Sequence, residues 1–199
     1  RIENVYTFRA NSQGKQANEN ADNSHRFVFA PHSPGIAIAV PNASSERREY
    51  LPCEITNAFT VISNLASVIY NASIWNMALI ASRLHLVWIA TVCGKLKTDY
   101  RYSNTLGWNT FPVPKLTEQN KADLTRCAEE ILLAREHYFP ATIADMYDPT
   151  RMDTEFPRVR AAHDRNDEVL ERIYIGRRFK NDTERLEKLF ELYTKMTAK

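Results

Sequence analysis

The rhythm of apolar positions changes near residue 115. Beyond it, Leu124, Cys127, Ala128, Ile131, Leu132 and Tyr138 recur at intervals of three and four. So do Val159, Ala162, Val169, Leu170 and Ile173, and then Leu186, Leu189, Phe190 and Tyr193. That spacing draws one apolar stripe along each of three or four amphipathic helices. Asn181 and Glu184 stand at capping-box spacing ahead of the last stripe, and Gly176 offers a stop for the helix before it. The run Asn109, Thr110, Phe111, Pro112, Val113, Pro114 precedes all of these, so a boundary is placed near Lys115. Residues 1–115 and 116–199 are read as two parts.

Ahead of that boundary the apolar runs are short. Residues 5–8, 26–30 and 36–40 are β-branched or aromatic and are separated by Pro31, Pro34, Gly35 and Pro41, which is the texture of strands. Residues 60–62 and 67–70 read as two further strands, while 11–24, rich in Asn, Gln and Ala with no period, reads as a loop. The most apolar stretch, residues 74–93, approaches bilayer-spanning length. Arg83 and His85 fall at its middle, where charge in hydrocarbon is costly, so it is expected to be a buried helix of a soluble protein, capped by Ser73 and closed by Gly94.

After Gly94 comes the segment with the most chemistry. Read as one strand over 95–103, its odd positions put Lys95, Lys97, Asp99, Arg101 and Ser103 on one face, and its even positions put Leu96, Thr98, Tyr100 and Tyr102 on the other. Tyr100 and Tyr102 are expected inward; Lys97, Asp99 and Arg101 outward. Lysine and arginine donate to phosphate oxygens or to guanine O6 and N7 in the major groove, and aspartate accepts from the cytosine amino group of the same base pair. The bland alternative is a solvated strand face over a tyrosine-backed core, and composition alone favours it.

Composition narrows the class. With 44% hydrophobic and 25% charged residues in 199, the chain is an ordinary globular protein. It opens at Arg1 with no secretory pattern and is expected to be a piece of a longer protein. Cys53, Cys93 and Cys127 are odd in number and widely spaced; they fit a reducing cytoplasm and buried packing, and form neither a disulfide framework nor a zinc site. The net charge of +2 hides an asymmetry: residues 1–115 hold 11 Lys and Arg against 7 Asp and Glu, and residues 116–199 hold 15 against 17. The first part is the better candidate for meeting a polyanion.

Catalytic motifs are missing. Five glycines at 14, 35, 94, 107 and 176 make neither a GxGxxG turn nor a phosphate-binding loop. There is no Pro-Pro-aromatic motif of the kind used for methyl transfer to an exocyclic amine, and no Glu-x-Lys of a metal-dependent nuclease. His163 and Asp167, one helical turn apart, can be drawn as an acid/base pair, but a solvated or capping pair within a helix is far commoner.

The order of motifs carries further. Ser82, Arg83, Leu84, His85, then Trp88, Cys93, Gly94, Lys95, Leu96 and Lys97, leading into Tyr100, Arg101, Tyr102 and Ser103, resembles the target-recognition domain of MmeI-like type II restriction-modification enzymes. Trp108 to Pro112 continue the match, as do Ala134, Arg135, Glu136, then Ala144 to Pro149, then Ala162, His163, Asn166 and Asp167, and finally Leu189, Phe190 and Tyr193. It covers roughly residues 55–199. Around residues 146–157 the chain departs from the family's more proline-bound pattern, which leaves the path of that loop open.

These enzymes are single-chain N6-adenine DNA methyltransferases, often fused to a nuclease. The resemblance implies that an upstream methyltransferase domain of the same chain binds S-adenosylmethionine and flips adenine, while this part grips double-stranded DNA and selects sequence. It puts the base-reading positions on Lys97, Asp99 and Arg101, with Lys97 and Asp99 reading one G·C pair. Lys95, Arg83 and His85 are expected to meet phosphate or to pack, and for Arg83 a buried tie to a carboxylate is as plausible. No catalytic or metal-binding residue and no cofactor is expected in this chain. The expected fold is α+β: mixed strands around one buried helix, then a C-terminal bundle of three or four amphipathic helices, in a cytoplasmic protein that does not enter membrane. The rival function is a protein-interaction module that docks a partner subunit through helices 117–197.

Overall fold

The computed structural model describes residues 1–28 and 35–198. They fall into two compact units, Arg1–His32 with Phe59–Ile62, and Ser33–Ala58 with Ser63–Lys199.

In the first unit, α1 (Ile2–Ala10) and the short α2 (Lys15–Asn18) are followed by a 3-10 turn, Ala21–Asn23. The Arg9 guanidinium ties them by donating to the carbonyls of Asn20 (3.2 Å), Asn23 (2.8 Å) and Arg26 (3.0 Å). Residues 5–8 are therefore helix, not the expected strand. A helix satisfies its own backbone donors, whereas a β-branched strand must find an edge to pair with, and α1 has no buried residue that would demand one. The segment 11–24 holds α2 and the turn instead of plain loop, and residues 26–28 form no strand; the remainder of that expected strand, residues 29 and 30, lies outside the described residues.

The second unit contains two small antiparallel sheets. In one, β1 (Ala37–Pro41) lies between β3 (Glu54–Thr56) and β4 (Ala66–Tyr70), with Ile38 opposite both Ile55 and Ile69. The other runs β2 (Ala43–Ser44), β6 (Asp99–Arg101), β5 (Lys95–Leu96). Residues 36–40 and 67–70 thus fall on real strands, whereas 60–62 form none and the three-residue strand 54–56, which opens on Glu54, is too short to show alternation.

The apolar stretch 74–93 is two helices rather than one, α3 (Trp75–Ile80) and α4 (Arg83–Val92). Ser82, not Ser73, is the effective cap: its hydroxyl accepts from the His85 N–H (3.1 Å) and donates to the Leu79 carbonyl (2.6 Å). Its extended backbone breaks the run. Met77 to Ala81 and Leu84 to Ile89 are all buried. Each of the large side chains among them contributes about 2 kcal/mol through burial.

Four helices follow. α5 (Glu118–Glu136) starts at a Thr117/Asn120 capping box, α6 (Ile143–Met146) is one turn, α7 (Pro157–Ile175) ends on Gly176 at φ 77°, and α8 (Asp182–Thr197) is capped by Asn181. α5 packs against both α3 and α7, and α8 packs on α4, so one core runs across Lys115. Cys53, Cys93 and Cys127 are free and buried in it. Among the described residues no helix is long and apolar enough to cross a membrane.

Candidate nucleic-acid interface

The segment 95–103 is a hairpin, not one strand. β5 pairs with β6 (Lys95 opposite Tyr100, Leu96 opposite Asp99), and the chain reverses at Lys97 and Thr98, with Lys97 in the left-handed region at φ 58°. The continuous two-face alternation is lost: Lys97 stands exposed at the turn, and Leu96 is 56% exposed rather than inward. No Gly, Asn or Asp marks this turn, so its sequence gives no warning. Tyr102 is buried, and Tyr100 is half-buried with its hydroxyl donating to the Glu46 carbonyl (3.1 Å). Burial pushes the Tyr100 phenol up. Arg101 is exposed.

A second segment is fastened to this hairpin. β2 pairs with β6, Ala43 opposite Arg101 and Ser44 opposite Tyr100. In the following loop the Glu46 N–H donates to Asp99 Oδ1 (3.2 Å), and Lys95 Nζ lies 4.0 Å from the Glu46 carboxylate and 5.7 Å from the Tyr100 ring centre. Asp99 is half-buried, with one oxygen engaged in this way.

Of the positions expected to meet phosphate or to pack, Arg83 and His85 are drawn inward, whereas Lys95 stays exposed on the hairpin. Arg83 clasps Asp182 through Nε (3.2 Å) and Nη2 (2.5 Å), and this pairing raises its pKa. His85 is wholly buried, so phosphate contact is corrected to packing. Its Nε2 meets the Tyr102 hydroxyl at 3.3 Å and its ring sits edge-on to Phe111. Burial lowers its pKa to about 3, which keeps the imidazole neutral.

His163 and Asp167 do not face each other. The His163 ring stacks on Tyr50 at 4.2 Å, with Nδ1 3.1 Å from the Ala81 carbonyl and Nε2 2.6 Å from the Tyr147 hydroxyl. Arg135 donates to that same hydroxyl, so the phenol donates to Nε2 and the imidazole N–H points at Ala81. Burial holds His163 well below its usual pKa. Asp167 accepts the Arg83 N–H (2.8 Å) and the Tyr50 hydroxyl (3.0 Å), and burial lifts its pKa to about 7. Both groups are fully engaged in packing and leave no open acid/base site. Among the described residues no group of His, Cys, Asp and Glu can hold a metal ion.

Ion pairing separates two populations of cations. From residue 116 onward every described Lys and Arg except Arg158 and Lys180 has a carboxylate oxygen within 4.0 Å. Around the hairpin, Lys97 and Arg101, and on the adjoining loop Arg47 and Arg48, have no such partner among the described residues. Sequence reasoning missed Arg47 and Arg48, because Glu46, Arg47, Arg48, Glu49 sums to zero charge and looks like any solvated loop.

The target-recognition domain model of MmeI matches residues 1–115, and the MmeI C-terminal domain model matches residues 116–199. The chain belongs to the MmeI family. DNA methyltransferase A of Bacillus subtilis (strain 168) is 39% identical over all 199 residues, which amount to 22% of that protein. The type IIL restriction-modification enzyme MmeI, solved in complex with DNA, superposes with a TM-score of 0.87 at 30% identity, covering 98% of this chain and 26% of that one. The chain therefore spans about a quarter or less of the length of these two relatives.

Proposed function

We propose that this chain is the DNA-reading portion of a site-specific N6-adenine DNA methyltransferase or restriction-modification enzyme, with the β5–β6 hairpin as its reading element. S-adenosylmethionine binding and methyl transfer are assigned to an upstream domain of the same polypeptide, acting on DNA in the cytoplasm. The five scattered glycines of this chain do not fit a cofactor cradle.

The observation that carries the reading is the unneutralised hairpin. Among the described residues, Lys97 at the turn and Arg101 on β6 lack carboxylate partners while nearly every cation on the C-terminal helices has one. A cation left unpaired on a rigid turn is free for phosphate or a base edge. Lys97 donates only, and Asp99, with one oxygen still available, accepts only. The pair is complementary to G·C with guanine facing Lys97, and Arg101 suits the acceptors of a neighbouring pair.

Exchanging Lys97 for an acidic residue and Asp99 for arginine in the full-length enzyme is expected to invert one position from G·C to C·G. Sequencing of methylated sites reads the outcome. An unchanged recognition sequence with a uniform drop in activity assigns these residues to phosphate and removes the base-reading claim. Binding with no dependence on salt favours the protein-docking alternative, because phosphate contacts release counterions.

A further inference from the structure

The loop between β2 and β3 is fastened at both ends and carries two unpaired arginines between the fasteners. At its start, Glu46 donates its N–H to Asp99 Oδ1 and receives the Tyr100 hydroxyl on its carbonyl. At its end, the Glu49 carboxylate accepts from Arg160 Nη1 of α7 at 2.9 Å, and Tyr50 is buried with its hydroxyl on Asp167 and Asp164. Arg160 lies 5.5 Å over the Tyr50 ring and is itself only 17% exposed, so this end is fixed from two directions. Between them stand Arg47, exposed, and Arg48, half-buried. Neither has a carboxylate within ion-pair distance among the described residues; Arg47 interacts with Asp148 only at longer range. Their backbone turns are set by Ser45, whose carbonyl accepts the Arg48 N–H at 3.1 Å.

Two neighbouring guanidinium groups on a mobile loop are ordinary surface. Held by a strand pair and a helix, beside a hairpin with cations of its own, they form a pre-organised anion clamp, and ordering them on binding has been largely completed by folding. We infer that Arg47 and Arg48 grip the DNA backbone beside the base pair read by the hairpin, and that Asp99 also serves as a positioning residue for this loop. The inference rests on the DNA-reading role proposed above. It adds a phosphate-binding element and gives α7 a part in presenting it.

The test measures DNA affinity of the full-length enzyme against salt concentration. Replacing both residues (Arg47→Ala with Arg48→Ala) is expected to lower the slope of log affinity against log salt by roughly 1 to 2, about one per phosphate lost, with the methylated sequence unchanged. The doubly lysine-substituted enzyme keeps the slope. Asp99→Asn, whose amide oxygen still accepts the Glu46 N–H, also keeps it, whereas Asp99→Ala lowers it. An unchanged slope in the double alanine enzyme overturns the clamp, and a changed recognition sequence there overturns its phosphate role. An Asp99→Ala slope equal to wild type removes the positioning part. If Lys97→Ala still alters the methylated sequence while the clamp fails, the hairpin reading survives; a wild-type enzyme with no salt slope removes that reading as well.

Discussion

The hairpin with its adjoining loop and the C-terminal helices use the same cationic residues to opposite ends. On the helices, arginine is structural. Glu171, wholly buried, accepts Arg185, Arg178 and the Phe179 N–H, and Arg135, 5% exposed, is enclosed by the Tyr147 hydroxyl and the Cys53 carbonyl. On the hairpin face and its loop, Lys97, Arg101, Arg47 and Arg48 have no carboxylate partner among the described residues, and all but the half-buried Arg48 are exposed. Net charge by segment pointed the right way but understated the contrast. Availability depends on neutralisation in three dimensions, and fifteen cations against seventeen anions can leave almost none of those cations free.

The comparison breaks first if charges on the helix side can be removed cheaply. Glu171→Ala is expected to destabilise the fold by about 3 kcal/mol, because it removes the buried acceptor of Arg185 Nε and Nη2 and of the Phe179 N–H, leaving Arg185 only its Asp182 contact. Denaturant unfolding measures this, and a loss below about 1 kcal/mol contradicts a structural role for the pairing. Next in size is the opposite kind of residue: Lys97→Ala should relax discrimination at one base pair by roughly 1 to 3 kcal/mol while leaving the unfolding midpoint in place. Lys97→Gly should do the same with a small gain in stability, since glycine accepts the φ of 58° without strain.

A smaller effect sharpens the helix side through pH. Asp167 has a folded pKa raised from 3.8 to about 7, so it binds its proton more tightly folded than unfolded. The stability it contributes is complete below pH 3.8 and is lost as pH rises through 7, amounting to about 1.4 kcal/mol by pH 8 relative to pH 6. Asp167→Asn should flatten melting temperature against pH over that interval, and a slope that persists in the variant places the titration elsewhere. His85 and His163, with lowered pKa values, act in the opposite sense, weakening the fold as pH falls below 6.5. Smallest of all, Lys195→Ala removes an exposed, solvent-screened pair with Glu191 and should leave both the unfolding midpoint and the salt dependence of DNA binding in place.

Legibility in the sequence followed the range of the forces involved. Helices α5, α7 and α8 were readable because their stripes, their Asn181 cap and their Gly176 stop act within a few residues. Val5 to Phe8 misled because β-branching is a weak preference when no sheet edge is at hand. The break at Ser82 was hidden inside an apolar run whose cap is a single hydroxyl. At the candidate interface, the residue types of 97, 99 and 101 were legible, but the turn at Lys97 was not, since lysine carries no turn signature. Tyr50, Glu49 and Arg160 were invisible for a different reason: their partners lie more than a hundred residues away.

Asp167 joins what the chain's order keeps apart: one of its oxygens caps the start of α4 at Arg83 and the other receives Tyr50 at the end of the arginine loop. That bears on how such proteins diversify. A recombinant that took its first 115 residues from one ancestor and the rest from another would bring together a phenol, a helix start and a carboxylate with no shared history, and any mismatch would be buried. The arginine loop and α4 of the first 115 residues and the helices that follow are therefore one mechanical unit, coupled through a single buried carboxylate.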